Sequence, residues 1–192
     1  MSIRRFLDKL SGAPPRQELE LRGLHVVVEN SRPDIDTARV IERLDESLAL
    51  IERYQPWRLA HLRRDLRAMW VVRFPCRGAY MPAERTCVTE LTFLARTDIT
   101  AAPVASSIIH EGMHARIHLR QANPQGDMAR EERICRRAEL DFGMALPPEL
   151  GGPVIERARQ SLMLDDVDVA PAVDWQEALR RQAAVDAEAR DA

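Results

Sequence analysis

The residues of this 192-residue chain that are best suited to chemistry lie in the segment His110-Glu111-Gly112-Met113-His114. The segment has the pattern H-E-x-x-H. Residues four apart share one face of a helix, so the imidazoles of His110 and His114 can reach one metal ion from consecutive turns. Neutral imidazole is a good Zn²⁺ ligand, and Glu111 is placed to take a proton from a metal-activated water. The spacing therefore predicts a catalytic zinc centre.

A zinc centre of this kind needs a third protein ligand and one open position. The metzincin pattern would place glycine at position 117 and histidine at position 120, but the chain has Ile117 and Arg120, which excludes that class. His118 repeats the four-residue step, yet it lies about 12 Å along the helix from His110 at a rise of 1.5 Å per residue. We therefore expect the third ligand to come from the following helix.

The helix predicted after the turn at 123–126 carries Glu131, Glu132 and Glu139. A helix–turn–helix hairpin would bring these acids back alongside His114. Glu139 lies two turns further on and is expected to orient a histidine N–H group rather than to bind the metal. Helical periodicity leaves Glu131 and Glu132 both open as the ligand. Whichever is not the ligand is expected to be an exposed acid in the first turn, favoured by the helix dipole.

The motif resembles that of the gluzincins, in which H-E-x-x-H is followed by a glutamate on the next helix. Over roughly residues 78–148 the chain looks like the small bacterial intracellular zincins of the ImmA/IrrE type. Here His118 completes H-E-x-x-H-x-x-x-H, and Met144-Ala145-Leu146-Pro147 closes the acidic helix. The chain is also similar to bacterial proteins that have an H-E-x-x-H-A-R segment and a later E-x-x-C, which here runs from Glu132 to Cys135.

The resemblance implies Glu132 as the third metal ligand, with Glu131 as the alternative, and Zn²⁺ as the cofactor. It also implies an edge strand within residues 78–93 that binds a peptide or protein substrate by strand addition. Tyr80 would contact the substrate there or be a half-buried core residue. We expect a zinc-dependent peptidase in which Glu111 is the general base. The alternative is a zinc-containing binding or regulatory module of zincin fold without peptidase activity.

The hydrophobic pattern predicts an α+β protein, with a small, mostly antiparallel sheet followed by a zincin-type helical metal-binding half. Residues 1–20 are predicted to form an N-terminal arm, residues 21–165 a single zincin-like domain, and residues 166–192 a solvent-exposed C-terminal helical tail. Strands are expected over 24–29, 69–74 and 85–94. Helices are expected over 36–54, 56–67, 103–121, 128–145, 154–164 and 174–189, with a break at Gly151-Gly152-Pro153.

Composition indicates which partners to expect. The chain has 28 basic and 30 acidic residues, a net charge of −2, and the charges interleave along helix faces, so no nucleic-acid partner is expected. No apolar stretch approaches the roughly 18–20 residues that span a bilayer, and the N-terminus does not resemble a secretory signal. The three cysteines form no C-x-x-C pair. Their odd number is typical of reduced thiols, which indicates a cytoplasmic protein without a membrane partner.

Overall fold

The computed structural model describes residues 15–123, 125–170 and 174–191, and the α+β class predicted from the sequence is confirmed. One five-stranded sheet has the order β1-β2-β3-β5-β4. Both outer pairings are antiparallel, as the alternating pattern predicts, while the central pairings β2–β3 and β3–β5 are parallel. The sheet is therefore mixed, and β4 lies at one edge. The strands are β1 Arg16–Leu21, β2 Leu24–Glu29, β3 Ala68–Val72, β4 Gly78–Met81 and β5 Thr86–Glu90.

Helices make up most of the remainder of the described chain. The two longest central helices begin at side chains that accept hydrogen bonds from the first turn, Thr100 for α4 and Asp127 for α5, as expected for good N-cap residues. The helices are α1 Thr37–Tyr54, α2 Pro56–Asp65, α3 Leu91–Ala95, α4 Ala101–Leu119, α5 Met128–Ala145, α6 Pro148–Leu162, α7 Asp166–Val169 and α8 Trp175–Asp191.

The main core lies between one face of the sheet and the helices. Strand residues Val26 and Met69 and helix residues Leu44, Leu48 and Ile108 are almost completely buried there. Helix α4 packs on α1, α2 and strands β4 and β5, and α5 packs in turn on α4 and α6. Because α4 is held on both sides, the residues that it presents toward α5 have a defined position.

Two predicted boundaries at the sheet were wrong. The strand predicted for residues 85–94 ends at Glu90, because the Glu90 side chain accepts a hydrogen bond from the Phe93 backbone N–H and so starts α3. Glu90 also forms a buried ion pair with Arg73. At the N-terminus, the arm predicted for residues 1–20 is a strand from Arg16 onward, paired with β2. Residues 1–14 lie outside the described part of the chain.

The helix break predicted at 151–153 was also wrong, since α6 runs from Pro148 to Leu162 through Pro153. A Cβ atom on Gly151 would lie 2.2 Å from the carbonyl oxygen of Gly143 on α5. The missing side chain therefore permits close packing of two helices here rather than ending one. This packing fixes α5, which carries the acids of the site.

The C-terminal helix is attached to the body of the protein rather than solvated along its whole length. Asp186 on α8 forms ion pairs with Arg32 and Arg73, whose side chains are each 9% exposed. Trp175 at the start of α8 packs its ring against Phe74, with 5.8 Å between the ring centroids. Within the described ranges, no helix combines the length and apolar character needed to cross a membrane.

Candidate metal centre

The two histidines of the motif and the glutamate predicted from the resemblance converge on one point. Nε2 of His110 lies 3.1 Å from Nε2 of His114. The two carboxylate oxygens of Glu132 lie 3.3 Å from the first of these nitrogens and 3.2 Å from the second. Tetrahedral zinc ligands at 2.0–2.1 Å from the metal would be about 3.3 Å apart. The spacing of these atoms therefore fits a set of ligands around a single small cation.

A second layer of carboxylates orients the two imidazoles. Oε1 of Glu139 lies 2.6 Å from Nδ1 of His110, and Oε1 of Glu131 lies 2.7 Å from Nδ1 of His114. An ionised carboxylate can only accept, so each Nδ1 donates its proton, and Nε2 is the ring atom left to face Glu132. The two Nε2 atoms and the carboxylate are electron-rich and close together, so a cation, either a proton or a metal ion, is favoured among them. Metal-binding histidines are oriented by carboxylates in this way.

Burial and charge act in opposite directions on these groups. Burial alone would lower the pKa of His110, but the carboxylates of Glu132 and Glu139 outweigh it, and the net pKa is raised. Burial would likewise raise the pKa of Glu132, but its contacts with the two imidazoles lower it overall. Glu132 therefore stays ionised although its side chain is only 17% exposed. A divalent cation that replaced the Nε2 protons would be held by two imidazoles and a buried, ionised carboxylate.

Glu111 lies next to this cluster but bonds to neither imidazole. It is 8% exposed, and a Cβ atom on Gly78 would come within 3.2 Å of its Oε1. Gly78 therefore lets edge strand β4 approach the carboxylate closely. Burial is the main cause of a raised pKa for Glu111, and the adjacent histidines partly offset it. A carboxylate whose pKa is raised toward neutral pH is a more effective proton acceptor at neutral pH.

Cys135 is a ligand candidate that the sequence analysis did not consider. Among the described residues, its sulfur and one nitrogen each of His110 and His114 lie within 4.8 Å of one another. Burial raises the pKa of the Cys135 thiol to about 11, although hydrogen bonding to His114 opposes the shift. Metal binding requires the thiolate, whereas the Glu132 carboxylate is already ionised and lies 3.2–3.3 Å from the two Nε2 atoms. Glu132 and Cys135 are therefore both placed to join the two imidazoles around a metal ion.

Two other sequence expectations concern residues around the cluster. The expectation that the glutamate that is not the ligand is exposed fits neither residue, because the side chains of Glu131 and Glu132 are only 18% and 17% exposed. His118 lies exposed at the rim of the cleft, with its ring 5.9 Å from that of Tyr80. Tyr80 is half-buried against the main core and also lines the cleft. Its hydroxyl is buried and has no hydrogen-bond partner in the described structure.

The cluster lies in a cleft of about 1480 Å³. Residues of strand β4 line it, α4 and α5 contribute the candidate ligands, and Val169 and Trp175 from the C-terminal helices line it as well. Three arginines, Arg77, Arg136 and Arg157, also line it. Arg157 comes from α6, and no sequence signal connects that helix with the histidine motif.

The site combines two oriented imidazoles, a carboxylate that faces both of them and a separate buried carboxylate, all lining a cleft large enough for a peptide. Comparisons with models of protein families, with curated proteins and with solved structures found no match.

Proposed function

We propose that the protein is a zinc-dependent peptidase with His110, His114 and Glu132 as its metal ligands and Glu111 as its general base. The observation that carries the proposal is the convergence of the two Nε2 atoms and the Glu132 carboxylate at 3.1–3.3 Å. Zinc bound there would lower the pKa of a bound water and polarise the substrate carbonyl. Two imidazoles and one carboxylate are a ligand set typical of catalytic zinc sites.

The role of Glu111 follows from its surroundings. Its carboxylate is buried and unpaired with either imidazole nitrogen, and its raised pKa makes it an effective proton acceptor. It can take a proton at the cleft side of the cluster and deliver it to the leaving amine. A purely structural site has no need of a carboxylate at this position.

Strand β4 supplies the second support for a peptide substrate. Within the described residues it pairs only with β5 and leaves its outer edge along the cleft. An extended peptide can add to such an edge through backbone hydrogen bonds. Gly78 then holds the peptide near Glu111, because no side chain separates the two. Tyr80 lies on the same strand, and its buried hydroxyl has no hydrogen-bond partner among the described residues.

Cys135 supports a second candidate function. If its sulfur joined His110, His114 and Glu132, the metal would have four protein ligands and no open position. Closed four-ligand sites of this kind are structural. The protein would then be a zinc-containing binding module.

The free thiols of Cys76, Cys87 and Cys135 are consistent with our proposal that the protein acts in the cytoplasm.

A peptide library tests the proposed activity. Wild-type protein loaded with zinc is expected to cleave a subset of peptides, and chelated protein and the His110→Ala variant are expected to cleave none. Mass spectrometry would identify the products. His25→Ala is the matched control, since His25 lies half-exposed on β2 away from the cleft. Zinc bound at one equivalent with no cleavage by any form would reject the peptidase and favour the binding module.

The Glu139→Gln variant tests how the imidazoles are held. Glutamine keeps the shape of Glu139 but loses the charge that polarises the Nδ1–H group of His110. We expect zinc affinity to fall by about 10- to 100-fold, measured by competition with a coloured chelator. Glu156→Gln on the exposed face of α6 should leave the affinity unchanged. Equal affinities in Glu139→Gln and the control would show that Glu139 does not support the metal ligand.

A further inference from the structure

Three arginines line one end of the cleft beside the candidate metal ligands. Arg77 directly precedes β4, Arg136 lies on α5 and Arg157 lies on α6. They come from separate parts of the chain, so the fold rather than a sequence motif brings them together. The proposed hydrolytic step uses none of them.

Arg136 connects this group to the metal cluster. Its Nη1 donates to Oε1 of Glu139 at 2.7 Å, and its Nη2 lies 3.8 Å from Oε2 of Glu132. Its Nε is buried and has no hydrogen-bond partner in the described structure. One N–H group of this guanidinium therefore remains unsatisfied beside the cleft, which is costly for a buried donor.

Arg77 and Arg157 have no carboxylate partner among the described residues. The guanidinium of Arg77 lies over the ring of Phe93, 5.3 Å from its centroid, and no ion pair neutralises it. The side chain of Arg157 is partly buried, and none of its N–H groups forms a hydrogen bond within the described ranges. Burial is the largest cause of the lowered pKa of both residues and neighbouring arginines add to it, while the carboxylate of Glu139 opposes it. Arg157 is partly buried, and Arg77 is exposed to solvent.

Such a group of cations favours an anionic ligand. Arginine cannot lose its proton in a protein, so the positive charges stay and repel one another. A carboxylate accepts two parallel N–H bonds from one guanidinium and neutralises its neighbours. The carboxylate of Glu139 is already shared between His110 and Arg136. A ligand carboxylate that enters the cleft would add a negative charge beside Arg77 and Arg157, with which no described carboxylate forms an ion pair.

The position of Arg77 indicates which end of a peptide would carry this charge. A peptide that pairs antiparallel with β4 runs from Met81 toward Gly78, so its C-terminal side reaches Arg77. Gly78 is also where β4 approaches Glu111, which places the scissile bond near this residue. The anion would then lie within one or two residues after the scissile bond.

We propose that Arg77, Arg136 and Arg157 form a carboxylate-binding subsite, and that preferred substrates have a carboxylate just C-terminal to the cleaved bond. The carboxylate is either a free C-terminus or an aspartate or glutamate side chain. The location relative to the cleaved bond rests on the proposed peptidase function. The preference for a carboxylate is a binding property that can be measured without turnover.

Calorimetry with three short probes tests the subsite on the full-length, zinc-loaded protein. The probes are acetyl-Ala-Ala with a free C-terminus, the same dipeptide as its C-terminal amide, and acetyl-Ala-Glu-amide. At least one acidic probe is expected to bind about 10- to 100-fold more tightly than the neutral amide. The tighter acidic probe identifies whether the C-terminal or the side-chain carboxylate is recognised.

Variants distinguish binding of a carboxylate by the arginines from binding by the zinc ion, which can itself attract a carboxylate. Arg157→Gln and Arg77→Gln are expected to remove most of the preference while zinc content stays unchanged. Arg159→Gln is the matched control, because Arg159 lies two residues further along α6 and is exposed. Equal binding of acidic and neutral probes, or a preference that survives in both variants, would overturn the subsite. If zinc-loaded wild-type protein cleaves no peptide but still prefers the acidic probes, only the proposed peptidase function is rejected.

Discussion

Replacing Glu111 with glutamine is expected to lower kcat by about 10²- to 10⁴-fold with zinc still bound, the range typical of general acid–base catalysis. Glutamine has nearly the same shape as glutamate but cannot accept the proton of a zinc-bound water. Glu111 bonds to neither imidazole nitrogen, so its replacement should leave the ligand atoms in place. Steady-state rates on a peptide found in the library, together with the zinc content of the same samples, would measure both effects.

Two further variants make this result specific. Glu42→Gln alters an exposed acid on α1 and should leave kcat unchanged. Glu111→Asp keeps the charge but withdraws the carboxylate by one methylene group, so most turnover should also be lost. If Glu111→Gln turned over peptide at the wild-type rate, Glu111 would not be the general base.

Zinc is expected to stabilise the folded protein strongly. Glu111, Glu132 and Glu139 lie close together with limited access to water, so a divalent cation relieves their mutual repulsion. A ligand present at 1,000 times its Kd adds about 4 kcal/mol to the free energy of unfolding. For a chain of this size, each kcal/mol raises the Tm by about 2–4 °C. We therefore expect chelation to lower the Tm by about 8–16 °C.

Differential scanning calorimetry with and without a chelator would measure this change. The His110→Ala variant should show a low Tm in both conditions, because it cannot hold the metal tightly. His25→Ala should behave like wild-type protein. A Tm of wild-type protein that does not respond to zinc or chelator would show that the cluster binds no metal in the folded state.

The helices were predicted well from the sequence because apolar periodicity and turn residues depend only on neighbouring positions in the chain. The predicted bounds of α1 and α5 were nearly correct, and the structure shows that side chains of Asp36 and Asp127 cap these helices. The errors arose where distant residues decided the outcome. Glu90 ends a strand through its bonds to Arg73 and Phe93, and α6 continues past Gly151 because α5 packs against it.

In the site, too, some features follow from neighbouring residues in the sequence and others from packing between distant residues. The four-residue spacing was enough to bring His110 and His114 together. It could not separate Glu131 from Glu132, because adjacent residues on one helix both reach the histidine helix. The two residues make different contacts: the Glu132 carboxylate faces both Nε2 atoms, and Glu131 bonds to Nδ1 of His114. The arginines of the cleft depend on packing between helices and had no signal in the sequence.

The most direct test of the metal centre is a crystal of zinc-loaded protein measured at wavelengths on both sides of the zinc absorption edge. We predict one anomalous peak, about 2.0–2.1 Å from Nε2 of His110, Nε2 of His114 and an oxygen of Glu132, with an open position toward the cleft. The absence of a peak between these residues would contradict a zinc centre. A zinc ion with the Cys135 sulfur as its fourth ligand would have no open position, which would contradict a catalytic centre.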